Sequence, residues 1–260
     1  MRIIIHMRLT NAITLPFNHS YYLCSVIYRF LETSDSNYSE FLHNTGYSLD
    51  SDPNDHRRFK LFVFSPLRAK IRRIRGSSMI LGPGPVEWRI SSPMKEFLGN
   101  FALGLMSMGG LHVCHETLPI VRIETLDPPE ILEETPFTCL SPIVVSVTEN
   151  TGVGKTTRYL RPTDPLFSER VRLNLISKYI ALHQGAYPAN DAFEMTFDPV
   201  YLEHQRGTKM IDFKGVKIIG AYAPFLARGS KELMEVGYSC GFGEKNSAGF
   251  GMGEVMRVGK

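Results

Sequence analysis

The chain has 260 residues, of which 43% are hydrophobic and 21% charged, with a formal net charge of +3. That size suits one large domain or two of roughly 120–130 residues, and the balance is ordinary for a globular protein. No apolar run approaches the ~18–20 residues needed to span a membrane, and a charge this small does not by itself imply a nucleic-acid partner. Cys24, Cys114, Cys139 and Cys240 are scattered without a C-x-x-C pair, so they read as reduced core residues.

The opening Met1–Leu9 is too short and too interrupted for a signal peptide and reads as a strand, which makes a cytoplasmic location the expectation. A helix follows at residues 19–33, where Leu23, Val26, Ile27, Phe30 and Leu31 form one apolar stripe. Tyr28 lies about 130° from the centre of that stripe at ~100° per residue, on the same side as Tyr21. It either packs under a neighbouring loop or presents its hydroxyl to a ligand. A short helix at 36–44 ends near His43, with Gly46 as the C′ residue. The helix dipole favours a protonated imidazole there by about 0.3–1 kcal/mol if exposed, although a lone histidine is more often a capping group than a catalyst.

Residues 58–66 read as a strand with Lys60 facing outward at its start. Arg68, Lys70, Arg72, Arg73 and Arg75 then place five cations within eight residues. Such a run is usually a solvated face; on an RNA-binding protein it is a phosphate track. Strands at 77–90 and 110–124 flank a helix at 93–108, which gives a β-α-β-β-α-β order. His112, Cys114, His115 and Glu116 form the only metal-like cluster. With no second ligand pair they read as a strand edge, and no metal or cofactor is expected.

Pro128 and Pro129 mark a linker, dividing the chain into domains at 1–128 and 129–260. In the second half, strands at 137–148, 193–204, 209–222 and 250–257 alternate with helices at 165–184 and 224–236, so the order repeats. The pattern predicts an α+β protein of two tandem ferredoxin-like domains, each an antiparallel sheet with helices on one face. Near the C-terminus, glycines recur at 237, 241, 243, 249, 251 and 253 around a polar tip of Glu244, Lys245, Asn246 and Ser247. Successive N–H groups in such a loop can form an anion-binding nest, to which Lys245 adds a charge; the alternative is a flexible hairpin turn. Two nucleotide motifs fail on spacing. A dinucleotide fingerprint from Gly241 meets Asn246 where glycine is required, and Gly152-Val-Gly-Lys-Thr156 meets Glu149 where a P-loop needs glycine.

The stretch Gly237–Val255 closely resembles the C-terminal glycine-rich signature of the CRISPR repeat-processing endoribonucleases, within the superfamily once called repeat-associated mysterious proteins. The segments Leu15–Tyr28, Phe41–His43, Phe59–Ser65 and Leu140–Val144 match in order, so the resemblance runs from about residue 2 to 256. It implies tandem ferredoxin-like folds, also described as RNA-recognition-motif-like. It also implies a metal-independent endoribonuclease that cuts CRISPR precursor RNA within repeats by 2′-OH attack, leaving a 2′,3′-cyclic phosphate and a 5′-hydroxyl. The family's catalytic tyrosine falls on Tyr28 and its general acid/base histidine on His43. In some members a lysine in the context of Lys60 completes the site; Arg57, Arg58 and His56 are nearby substitutes. The loop residues Gly241, Gly243, Lys245, Asn246, Ser247, Gly249 and Gly251 would anchor the RNA backbone or pack the second domain on the first. Arg68, Lys70, Arg72 and Arg73 would be secondary contacts. The implied partner is CRISPR repeat RNA, with a CRISPR interference complex as a further candidate and monomer and homodimer both open. The alternative is a non-catalytic RNA-binding subunit of such a complex, because related superfamily proteins share the fold and loop without cutting.

Overall fold

A computed structural model describes residues 1–49, 57–152 and 154–256. The first half runs β1 (Arg2–Leu9), α1 (Ser20–Ser34), β2 (Val63–Phe64), β3 (Gly84–Ser91), α2 (Lys95–Met108) and β4 (Ile120–Leu126). Its strands lie in the order β4-β1-β3-β2, every neighbour antiparallel. The second half runs β5 (Glu134–Cys139), α3 (Phe167–Leu182), β6 (Phe193–Phe197), β7 (Phe225–Gly229), α4 (Lys231–Cys240) and β8 (Gly253–Val255). Its order, β6-β7-β5-β8, is the same arrangement read from the other edge, again antiparallel. The protein is therefore a tandem of ferredoxin-like folds.

The first core follows from two periodicities. Ile3, Ile5, Met7 and Leu9 alternate along β1 and are buried with the whole predicted stripe of α1. Gly104 of α2 sits where α1 crosses it, and a Cβ there would collide with the backbone of Phe30. The rings of Phe30 and Phe101 meet edge-on at 5.4 Å beside this crossing, and Phe62 stacks on Phe97 at 4.6 Å. A second core gathers Phe137, Phe193, Phe197, Phe225 and Phe242 between α3, α4 and the second sheet.

Several predicted elements are corrected. The 58–66 strand is broken, because Leu61 has φ 50°; Arg58–Phe59 pairs with Tyr47–Ser48, and only Val63–Phe64 joins the sheet. Residues 77–90 divide at Gly82-Pro-Gly84 into Ser78–Leu81 and β3, and 110–124 into the hairpin Leu111–Val113/Glu116–Leu118 and β4. The 137–148 strand is β5 followed by the separate ribbon Ser146–Thr151/Gly154–Tyr159, and 209–222 is the hairpin Thr208–Phe213/Val216–Ala221. The 193–204 strand ends at Phe197, where Asp198 accepts from Tyr201 N and caps the helix Pro199–His204. The 224–236 helix is instead strand β7, with Phe225 and Ala227 buried alternately, followed by α4 capped by Ser230 Oγ. Of the described residues in 250–257, only Gly253–Val255 is strand.

The halves are tied by a buried charge cluster. Arg2 of β1 is 1% exposed, lies 3.7 Å from the centroid of the Tyr238 ring on α4, and donates to the Tyr238 carbonyl at 2.7 Å. Arg2 and Arg89 of β3 share the carboxylate of Glu254 on β8. Burial pulls the Arg2 guanidinium down to about 10, with Tyr238 and Glu254 opposing the shift. Among the described residues no helix is long and apolar enough to cross a membrane.

Candidate active site

Three side chains singled out in the sequence converge on one patch of the first half. Tyr28 lies off the buried stripe of α1 but packs, half-buried, against the first core, its ring 6.3 Å from that of Phe62. After α1 the chain is capped by Asp35, which accepts from Tyr38 N at 3.0 Å, and continues as a single π-helical turn at Phe41–Thr45 closed by Gly46 N donating to Phe41 O at 2.7 Å. That turn sets the His43 ring edge-on to Tyr28, centroids 5.3 Å apart. Lys60, just before the kink at Leu61, donates its ammonium to the His43 carbonyl at 2.7 Å. His43 is exposed, with Nδ1 2.9 Å from the Asn44 amide oxygen. This contact makes Nδ1 the N–H and leaves Nε2 to exchange a proton. Burial raises the Tyr28 phenol above its ordinary value, Cys24 adding to the effect, and burial lowers the Lys60 ammonium. Of the substitutes for Lys60, Arg57 is committed to Ser177 Oγ at 2.9 Å and Arg58 to the Arg57 carbonyl at 3.0 Å; His56 lies outside the described residues.

Beside Lys60 opens a cleft of about 330 Å³. Phe59 and Lys60 line one side, Asn174 and Lys178 of α3 another, and Gly243–Ser247 of the glycine-rich loop the third. The loop is a braced wedge. Its N–H groups are largely spent inside the protein: Phe242 on Gly251 O, Glu244 on Val144 O, Ala248 on Lys245 O, Gly249 on Asn246 O and Gly251 on Pro142 O. The nest expected from the glycine spacing is thus reduced to the tip, where Lys245 is exposed and Ser247 half-buried. Asn246, expected at the tip, turns inward instead; its amide donates to Phe242 O at 3.3 Å and Phe250 O at 2.9 Å. Gly241, Gly243, Gly249 and Gly251 are buried as well. Gly251 has φ 81°, and a Cβ there would strike Phe242 O, so only glycine fits without displacement.

Two braces escaped the sequence reading. Lys178 is buried and donates to Gly241 O at 2.6 Å and Gly243 O at 2.7 Å; burial pulls its ammonium down to about 7, against Cys240 and Glu244. Glu244 accepts from Ser146 N at 2.9 Å and Ser146 Oγ at 2.8 Å, tying the tip to the ribbon. A lysine in the middle of a helix gives no hint that it points inward, and Glu244 looked solvent-facing.

The basic run lies elsewhere. Arg72 and Arg73 stand exposed in the strand Arg72–Arg75, Arg68 pairs opposite Glu87 on β3, and Lys70 occupies the turn between them. Arg72 and Gly249 of the loop share a small recess that Lys209, Phe17 and His19 also line. His19 there is a core residue: burial lowers it to about 4, Nδ1–H donates to Phe17 O, and Nε2 accepts from Leu67 N. His112 bonds Thr117 Oγ1 at 2.9 Å and Cys114 sits at φ 57° in a tight turn. Among the described residues no three His, Cys, Asp or Glu side chains are placed to hold a metal ion.

The architecture is that of solved CRISPR-associated proteins. A structure described as CRISPR associated protein Cas6 superposes with a TM-score of 0.78 at 30% identity, covering 99% of each chain. A structure of a Cas6-related gene from Pyrococcus furiosus gives 0.82 at 24% identity over 100% of this chain and 99% of its own. The family profile for the Cas6 C-terminal region matches residues 126–255 and that for the N-terminal region residues 14–124. A protein of Methanocaldococcus jannaschii, named CRISPR-associated endoribonuclease Cas6 1, is 32% identical over 97% of this chain and 91% of its own. The chain belongs to the Cas6 family.

Proposed function

We propose that the chain is a metal-independent endoribonuclease that cuts CRISPR precursor RNA within repeats, with residues 1–128 as the domain carrying the catalytic trio and 129–260 as the domain carrying the loop. The observation that carries the reading is the grouping of Tyr28, His43 and Lys60 on one patch, with Lys60 also lining a cleft bordered by the glycine-rich loop. The names of the relatives support the same activity. RNA supplies its own nucleophile, the 2′-OH beside the scissile phosphate. His43 Nε2 is the proton-transfer group, since imidazole alone among unperturbed side chains changes charge near neutral pH. Tyr28, held protonated by burial, orients the reacting oxygens as a donor. Lys60 keeps N–H groups beyond the one given to His43 O and can neutralise charge on the phosphorane. The products are a 2′,3′-cyclic phosphate and a 5′-hydroxyl. Lys245 and Ser247 at the loop tip, with Arg68, Lys70, Arg72 and Arg73 along a second surface, hold the RNA backbone.

The test is cleavage of a labelled host repeat RNA in EDTA by the wild type and by His43→Ala. One cut per repeat, lost about 10²–10⁴-fold in the variant with binding retained, is expected of a positioned proton-transfer group. A 2′-deoxy substitution 5′ of the cut abolishes cleavage in this mechanism. Tight binding without cutting by the wild type would instead assign a non-catalytic RNA-binding subunit.

A further inference from the structure

The hairpin Thr208–Phe213/Val216–Ala221 brings cations of the second half onto α1. Ile211 is buried on its inner face, and Phe213 on the same face meets Tyr21 of α1 edge-on at 5.7 Å. Lys209 alternates onto that face and is half-buried, its ammonium 5.7 Å from the Phe17 centroid and 5.2 Å from that of Tyr222. Lys214, exposed at the turn, holds its ammonium 4.8 Å from the Tyr21 centroid. Among the described residues neither lysine, nor the Arg72 that shares the recess with Lys209, has a carboxylate at ion-pair distance. Burial lowers the Lys209 ammonium, and Arg72 lowers it further. Charged side chains are seldom buried unless paired, so cations gathered here without an acid suit an anionic ligand.

Their place selects the anion. Tyr21, Cys24 and Tyr28 stand at i, i+3 and i+7, on one side of α1. Burial raises the Cys24 thiol to about 11 and Lys214 opposes the rise. Cys24 is one helical turn before Tyr28, whose ring the His43 ring meets. Tyr21 precedes Tyr28 by about 10 Å along the helix, no more than about three nucleotides even when stacked at ~3.4 Å each. We propose that the RNA strand leaving the Tyr28–His43 patch runs beside this hairpin towards the N-terminus of α1, with Lys214 holding one phosphate and Lys209, together with Arg72, holding another. This rests on the RNA-processing reading above. Lysine ammoniums take the phosphodiester rather than base edges, so the hairpin positions the strand without reading its sequence.

The experiment measures Kd of the full chain against salt for a host repeat RNA carrying the 2′-deoxy substitution at the cut. It compares the wild type, the double variant Lys209→Gln with Lys214→Gln, and Lys217→Gln. Each lost phosphate contact lowers the slope of log Kd on log salt by about 0.7 for a single strand, so the double variant is expected to fall by about 1.4. Lys217→Gln removes a charge from the outer face of the hairpin, opposite Asp212, and should leave the slope unchanged. Neutral methylphosphonate groups, placed one at a time within about three nucleotides of the cut, then locate the Lys214 contact. The wild type is expected to lose about 2- to 5-fold at that phosphate, the range of an exposed ion pair, and Lys214→Gln nothing there. An unchanged slope in the double variant, an equal fall in Lys217→Gln, or the wild-type methylphosphonate profile in Lys214→Gln overturns the proposal. Should the double variant not fold, Lys214→Gln, altered only at an exposed turn, decides through its own slope and profile. A wild type that binds no repeat RNA would overturn the RNA reading itself, a different outcome from binding whose salt dependence ignores these lysines.

Discussion

Lys178 shows how far one side chain can govern the loop. Its ammonium is enclosed by protein and held by two loop carbonyls, and its value near 7 lies well below the ordinary lysine value of 10.5. Between those two values the unfolded chain binds more protons than the folded one, so stability rises with pH across that window. Below about pH 7 lysine is charged in both states, and this contribution stops changing. Lys178→Met removes the titrating group while keeping most of its bulk. Urea midpoints should show the wild type gaining on the variant from pH 7 to pH 10; a difference independent of pH would refute the assignment. Tyr28→Phe keeps the ring against His43 and deletes only the hydroxyl. It should slow cleavage with little change in Kd or Tm, because fixed donors act on the developing charge rather than on binding. Helical spacing took Tyr28 off the apolar stripe but left its role open, and His43 was singled out only through the family resemblance. Lys178 could not be placed, because inward and outward faces of α3 are distinguished only by what packs there.

At the scale of elements, close approach decides more than propensity. Gly104→Ala drives a methyl into the backbone of Phe30, so α1 and α2 must separate. Overpacking of this kind costs about 1–3 kcal/mol, and thermal unfolding should register it as a clear drop in Tm. Gly251→Ala strains a backbone at φ 81° and pushes Phe242 O away, which breaks the bond that closes the loop. RNA binding and cleavage should then fall together while the first half of the chain keeps its fold; unchanged RNA affinity would show that the loop serves packing alone. The 224–236 segment reads as helix, but the alternation Phe225, Ala227 and the capping Ser230 make Phe225–Gly229 a central strand. Tertiary pairing outweighed local preference.

For the whole molecule, the decisive contact joins the two halves. Glu254 faces Arg2 and Arg89, and Glu254→Ala leaves the buried Arg2 guanidinium without a carboxylate and Arg89 with Glu87 alone, at 3.5 Å. Removing one partner of a buried ion pair costs about 3–5 kcal/mol. Denaturant unfolding should shift to a lower midpoint, and the halves should separate into two transitions once this tie is gone; an unchanged midpoint would mean that the aromatic cores alone hold them. By itself the sequence determined the repeated β-α-β-β-α-β plan, the buried stripe of α1 and the glycine-rich stretch, because periodicity and glycine content are local properties of the chain. Only the tertiary structure decided that Lys60 meets His43 across 17 positions, that Lys178 lies beneath a loop more than 60 residues away, and that Gly243 and Gly251 lie hard against neighbouring backbone. These are contacts between segments distant in the chain, fixed by which surfaces pack together in the fold, and no local pattern encodes that choice.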